Sequence, residues 1–108
     1  MVKNTEIYEL VKDRIAEKFE VPERVRDEVW NEISYDQRGL VLSERRPHFQ
    51  RPEIITKHPI FKIKYNSQKK DWSVYWMPSD GKWHIIKTYS KLDKILKYIE
   101  EHGEYFWG

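Results

Sequence analysis

Residues 59–86 read PIFKIKYNSQKKDWSVYWMPSDGKWHII, and the reading of this stretch decides the fold. Phe61, Ile63 and Tyr65 alternate with Lys62 and Lys64; Trp72, Val74 and Trp76 alternate with Ser73 and Tyr75; Trp83 and Ile85 alternate with His84 and Ile86. Successive side chains of a strand point to opposite faces, so this period marks strands with one face on a core. Asn66 to Asp71 and Pro78-Ser79-Asp80-Gly81 separate the runs and carry turn chemistry. Strands joined by turns this short pair antiparallel, which predicts a meander.

The pattern continues toward the N-terminus. Val29, Ile33 and Tyr35 stand opposite Glu32 and Ser34, and Leu40 and Leu42 opposite Val41 and Ser43. Asp36-Gln37-Arg38-Gly39 lies between them, where a glycine is free to take a positive φ. Residues 28–35 and 40–46 are therefore predicted as a hairpin, giving a sheet of about five strands over 28–87. Pro47, Pro52 and Pro59 interrupt the segment 47–59. Each lacks a backbone donor, which predicts a loop or irregular edge there.

Helices flank the sheet. Ile7, Leu10, Val11, Ile15 and Phe19 form a stripe at helical spacing within residues 1–20, with Asn4 or Thr5 at the start and Pro22 beyond the end. Residues 22–28 are ambiguous, with Pro22 suited to the first position of a short helical turn through Arg26. Leu92, Ile95, Leu96 and Ile99 form a second stripe within 90–102, preceded by Ser90 and Asp93 in capping-box spacing and followed by Gly103 as a C′ residue. The tail, residues 103–108, ends in Tyr105-Phe106-Trp107-Gly108. Rings are costly to leave in water, so the tail is expected to dock. The predicted class is α+β: an N-terminal helix, the antiparallel sheet, and a C-terminal helix with a docked aromatic tail, forming a single domain over 1–108.

Composition narrows the chemistry. Five Trp, seven Tyr and four Phe predict a core built on ring packing more than on aliphatic side chains. The absence of cysteine excludes thiolate catalysis, disulfides and cysteine-ligated metals. No run of 18 apolar residues is present and the N-terminus has no apolar signal segment, so no membrane partner and a cytoplasmic location are expected. Charge is uneven: residues 45–91 hold 11 Lys/Arg against 3 Asp/Glu, whereas residues 1–44 hold 7 against 11. A basic sheet between acidic ends suits an anionic partner, or two surfaces that balance within one molecule.

The runs Glu44-Arg45-Arg46-Pro47-His48-Phe49, Pro59-Ile60-Phe61-Lys62, Trp72-Ser73-Val74-Tyr75-Trp76-Met77, Asp80-Gly81-Lys82-Trp83-His84 and Phe106-Trp107-Gly108 resemble, in order and spacing, the bacterial family DUF3024. The resemblance implies a shared fold and a bacterial origin, and it carries no activity, cofactor or catalytic residue.

Candidate residues follow from the two faces. Leu40, Leu42, Phe61, Ile63, Tyr65, Trp72, Val74, Trp76, Trp83 and Ile85 are assigned to the core face. Ser43, Arg45, Lys62, Lys64, Ser73, Tyr75 and His84 fall on the polar face, where Arg45, Lys62, Lys64, Tyr75 and His84 are the candidate ligand-facing set. The expected role is a small non-enzymatic binding or interaction module without a cofactor. One alternative is single-stranded nucleic acid on the basic face, cations meeting phosphates and Tyr75 and His84 stacking on bases. Another is a divalent-metal or hydrolytic site around Glu44, His48, Asp80 and His84, with Lys82 beside it. A homodimer through an edge strand or the 47–59 segment is a third possibility. The plainer reading gives Glu44 an ion pair with Lys62 or Arg46, Asp80 its own turn's N–H groups, and Lys82 a tryptophan face to cover.

Overall fold

A computed structural model describes residues 4–22, 24 and 28–107. The expectations for Pro22 through Arg26, and for Gly108, lie largely outside the described residues. Helix α1 spans Asn4–Lys18. Five strands follow: β1 (Trp30–Asp36), β2 (Gly39–Pro47), β3 (Ile55–Asn66), β4 (Asp71–Trp76) and β5 (His84–Tyr89). Helices α2 (Leu92–Glu101) and α3 (Gly103–Trp107) complete the chain. The sheet is an antiparallel meander in the order β1-β2-β3-β4-β5, as the alternation predicted.

The β1–β2 turn is the short one that the sequence marked. Asp36 faces Gly39 across it, and the Asp36 carboxylate accepts from the Arg38 N–H at 2.7 Å. Gly39 has φ +147°, and a Cβ there would stand 2.9 Å from the Ile63 carbonyl oxygen. Glycine thus allows the close approach of β2 to β3.

Proline does not break the sheet where it was expected to. Strand β2 runs through Pro47 and β3 begins at Ile55, so only 48–54 is a loop. Pro59 lies within β3 but faces Ser43 beside a bulge: the register steps from Leu42↔Phe61 to Ser43↔Pro59, leaving Ile60 as the extra residue. A bulge relaxes the ladder locally, which is where a residue without a donor is tolerated.

The three helices among the described residues pack on one face. Tyr8 and Ile15 of α1, Leu92, Ile95, Leu96 and Ile99 of α2, and Phe106 of α3 bury against Leu40, Leu42, Phe61, Ile63, Trp72 and Val74. The centre of this core is mostly aliphatic, contrary to the expectation of ring packing. Tyr8, Phe61, Trp72 and Phe106 are its buried rings, while Tyr35, Tyr65, Trp76, Tyr89 and Tyr98 pack around its margin only partly buried. Rings with a polar edge gain by sitting where that edge reaches water or a partner.

Helix α1 turns the predicted stripe toward the core at Ile7, Val11, Ile15 and Phe19 but not at Leu10. Leu10 is 80% exposed and Tyr8 takes the central position. The Tyr8 hydroxyl accepts from the Tyr65 N–H at 3.0 Å, and the Asn4 side-chain amide donates to the Tyr65 carbonyl at 3.1 Å. Strand β2 ends its pairing with β3 at Leu40↔Ile63, so Tyr65 lies beyond it. Helix α1 thus supplies the backbone partners that β2 cannot, since buried N–H and C=O groups need partners. Asn4 bonds the sheet here, where the sequence suggested a helix cap.

Helix α2 forms without the capping box. Lys91 holds the cap position with no side-chain bond to the helix, and Asp93 pairs with Arg14 of α1. The tail docks. Phe106 is buried against Phe61, Trp107 packs on Phe19 and Phe61, and Tyr105 packs tilted against Trp76 at 4.6 Å between centroids. No helix among the described residues is long and apolar enough to cross a membrane.

Candidate binding face

Because the helices share one face, the other face of the sheet has no described helix over it. Cross-strand pairing defines its rows. Ser34, Val41, Lys62, Tyr75 and Ile85 lie side by side across all five strands. Lys64, Ser73 and Thr88 form the next row, with Ser73 and Thr88 hydroxyls 2.8 Å apart. On the other side, Glu32 faces Ser43, and Trp30 faces Arg45, which faces Lys57. Glu32 accepts from Arg45 Nε at 2.5 Å and stands 3.4 Å from Lys57 Nζ. These pairs hold the Glu32 carboxyl below its ordinary range, the Arg45 bond first among the causes.

Lys62 is the centre of this face. Its Nζ lies 4.9 Å from the Tyr75 ring centroid and 5.7 Å from that of Trp83. Its stem passes Gly39, where an added Cβ would lie 3.2 Å from Cγ. Burial lowers the Lys62 pKa first, and the nearby Lys64 and Arg38 charges lower it further, while Asp36 opposes them. The amine is thus held over two rings among like charges. A cavity of about 270 Å³ opens beside it, lined by Arg38, Gly39, Lys62 and Trp83 with Ser34 and Asp36. A second, of about 410 Å³, lies along Lys64, Ser73, Tyr75, Ile85 and Thr88.

A bulge in β5 changes which residues reach this face. The register steps from Val74↔Lys87 to Tyr75↔Ile85, so Ile86 is the extra residue. Alternation beyond it is inverted. Trp83 and Ile85, predicted for the core, stand on the open face, with Ile85 58% exposed. Ile86 packs on the core in their place. His84, predicted for the open face, pairs with Trp76 on the covered side.

The remaining candidates separate. Arg45, Lys62, Lys64 and Tyr75 share the open face as expected. His84 Nε2 lies 2.7 Å from Asp80, whose other oxygen accepts from the Lys82 N–H at 2.9 Å. That turn bond, then His84, lowers the Asp80 pKa. Glu44 pairs with Arg46, one of its two expected partners. His48 Nδ1 accepts from the Gln50 and Arg51 N–H groups at 3.2 and 3.3 Å, so it organises the 48–54 loop. The constellation of Glu44, His48, Asp80 and His84 is therefore not assembled. Among the described residues no three His, Asp or Glu side chains are grouped to hold a metal. The tryptophan face that Lys82 was expected to cover is covered by Lys62. Trp83, Arg38 and Gly39 were not anticipated at the site. The doublet Ile85-Ile86, where strict alternation fails, is the signal that could have found Trp83.

A family model described as "Domain of unknown function (DUF3024)" matches residues 2–108, the whole span over which the motifs were read and more. No curated protein and no solved structure matches the chain.

Proposed function

We propose that this chain, which belongs to the DUF3024 family, is a binding module that takes single-stranded nucleic acid on the open face of its sheet. The observation that carries the reading is the Lys62 amine, held over Tyr75 and Trp83 with its charge disfavoured by burial, Lys64 and Arg38. A phosphate beside it relieves that crowding. The flanking rings offer π-faces on which any base stacks, and such stacking contributes about 1–3 kcal/mol per base. Ordinary cation–π geometry already holds the amine in place, at roughly 0.5–1 kcal/mol for an exposed pair.

The reaction asked of the protein is binding, and the site residues follow from that. Lys62, Lys64 and Arg38 meet phosphates; Tyr75 and Trp83 stack; Ile85 and the Ser73–Thr88 pair border the strand. Arg45 and Lys57 share Glu32 and contribute less, because an exposed ion pair already absorbs part of their charge.

The test is titration of fluorescein-labelled dT12 and rU12 at low and moderate salt. Three phosphate contacts give a slope of log K against log salt of about −2, at roughly −0.7 per contact for a single strand. Lys62→Met reduces that slope by about 0.7, and Tyr75→Ala and Trp83→Ala weaken binding with little change in slope. Absence of binding at low salt, or binding that all three variants leave unchanged, refutes the reading.

A further inference from the structure

The cavity beside Lys62 holds about 270 Å³. Pockets for drug-sized ligands run to roughly 300–1,000 Å³, so this one suits a single ring system. Three kinds of group line it: the Trp83 ring, the Asp36 carboxylate and the Arg38 guanidinium. Asp36 Oδ1 accepts from the Arg38 N–H at 2.7 Å, which fixes the carboxylate in the β1–β2 turn. Its second oxygen has no protein partner among the described residues. The Arg38 side chain likewise forms no ion pair among the described residues, although a carboxylate stands only two positions away. By contrast Glu32, Glu44 and Asp80 are each taken up by a neighbouring basic side chain. The turn therefore presents an unshared acceptor and an unshared donor to one cavity, and a ring borders it.

Bases differ in the order of donors and acceptors along the edge that a single strand leaves free. Guanine, alone of the common bases, sets two neighbouring donors, N1–H and the 2-amino group, beside an acceptor, O6. A carboxylate takes the donors and a guanidinium takes the oxygen. Adenine and cytosine set a ring-nitrogen acceptor against the carboxylate. Thymine and uracil set a carbonyl on each side of their single N–H.

We propose that this cavity is a guanine subsite, with the base stacked on Trp83, its N1–H and 2-amino groups donating to Asp36, and its O6 accepting from Arg38. The proposal rests on the single-strand reading of this face and adds a base preference to it. The planar guanidinium carries donors on more than one edge, so Arg38 holds O6 and still meets a phosphate. Lys62 and Lys64 keep their phosphates. The stacking ring itself is indifferent to the base, so the preference comes from the turn.

The test compares fluorescein-labelled dT12 with the same strand carrying one central guanine, adenine or hypoxanthine, at low salt. The guanine strand binds about tenfold tighter than dT12, the order of discrimination of one bidentate base contact. Adenine gives no gain, and hypoxanthine, which lacks the 2-amino group, loses most of it. Asp36→Asn keeps an oxygen for the Arg38 N–H, and so keeps the turn, but sets an amide donor against the donors of guanine. In that variant the guanine gain disappears, whereas dT12 binding tightens because no carboxylate repels the phosphates. A carboxylate that acted through its charge alone would, on removal, tighten every strand alike. A guanine strand no tighter than dT12, or a preference that hypoxanthine or Asp36→Asn leaves intact, overturns the subsite, while binding of dT12 keeps the strand reading standing. If no strand binds, the strand reading falls, and calorimetry with GMP and AMP decides the subsite. GMP binding that Asp36→Asn abolishes upholds it, and GMP bound no better than AMP overturns it.

Discussion

Replacing Tyr8 by phenylalanine isolates the bond by which helix α1 completes the sheet. The side chain is fully buried, and its ring packs against Tyr35 and Trp72 at centroid distances of 6.4 and 6.5 Å. Phenylalanine keeps those contacts and removes only the hydroxyl that accepts from the Tyr65 N–H. Burial raises the Tyr8 pKa first, so the hydroxyl is neutral and the bond is an ordinary one. Such a bond contributes about 0.5–1.5 kcal/mol net, but leaving its donor unpaired in a partly buried place costs about 1–3 kcal/mol. No other acceptor replaces the hydroxyl without moving the helix, so the larger range applies. At about 4 °C per kcal/mol for a chain of this length, Tyr8→Phe lowers the melting temperature by about 4–12 °C. Urea unfolding gives the free energy directly, and amide exchange at Tyr65 speeds up selectively. A loss below about 0.5 kcal/mol with unchanged Tyr65 exchange would refute the claim that α1 supplies a partner the sheet needs.

Other perturbations test other joints. Phe106→Ala empties the ring that α3 sets edge-on to Phe61 at 6.2 Å, and a loss of about 3–5 kcal/mol is expected in urea unfolding. Gly39→Ala places a Cβ 2.9 Å from the Ile63 carbonyl at φ +147° and destabilises by about 1–3 kcal/mol; it also displaces the Lys62 stem, so nucleic-acid binding weakens beyond the fold defect. Asp80 has a folded pKa below its ordinary one, so its stabilisation is present above the ordinary carboxylate range and is lost as pH falls through the folded value. Melting temperatures of wild type and Asp80→Asn therefore differ at neutral pH and converge in acid; a gap independent of pH contradicts the assignment.

The strands, their order and the helices were legible because each is specified locally. Alternation in FKIKY and WSVYW sets the faces of β3 and β4, and Asp36–Gly39 sets the first hairpin. The helix stripes and the aromatic tail were legible for the same reason. Tyr8 was not, because a tyrosine reads as half-polar until an N–H beyond the end of β2 is seen to need its hydroxyl. Pro47 and Pro59 were read as breakers, yet a strand end and a bulge accommodate them.

The faces of β5 were misread for a related cause, and the same cause explains the site. Both bulges of this sheet fall on apolar doublets, Ile60-Phe61 and Ile85-Ile86. In a half-buried strand a doublet cannot bury both members without breaking the pleat, so an extra residue is absorbed there and alternation restarts. At Ile60 the break lets Pro59 stay in the strand and β3 extend past it to Ile55. At Ile86 it turns Trp83 away from the core and sets it over Lys62. In a register unbroken from Val74↔Lys87, Ile86 would face Tyr75 and His84 would take the place of Trp83 beside the Lys62 amine. The basic aromatic face therefore owes its composition to a local failure of the same periodicity that defines the sheet.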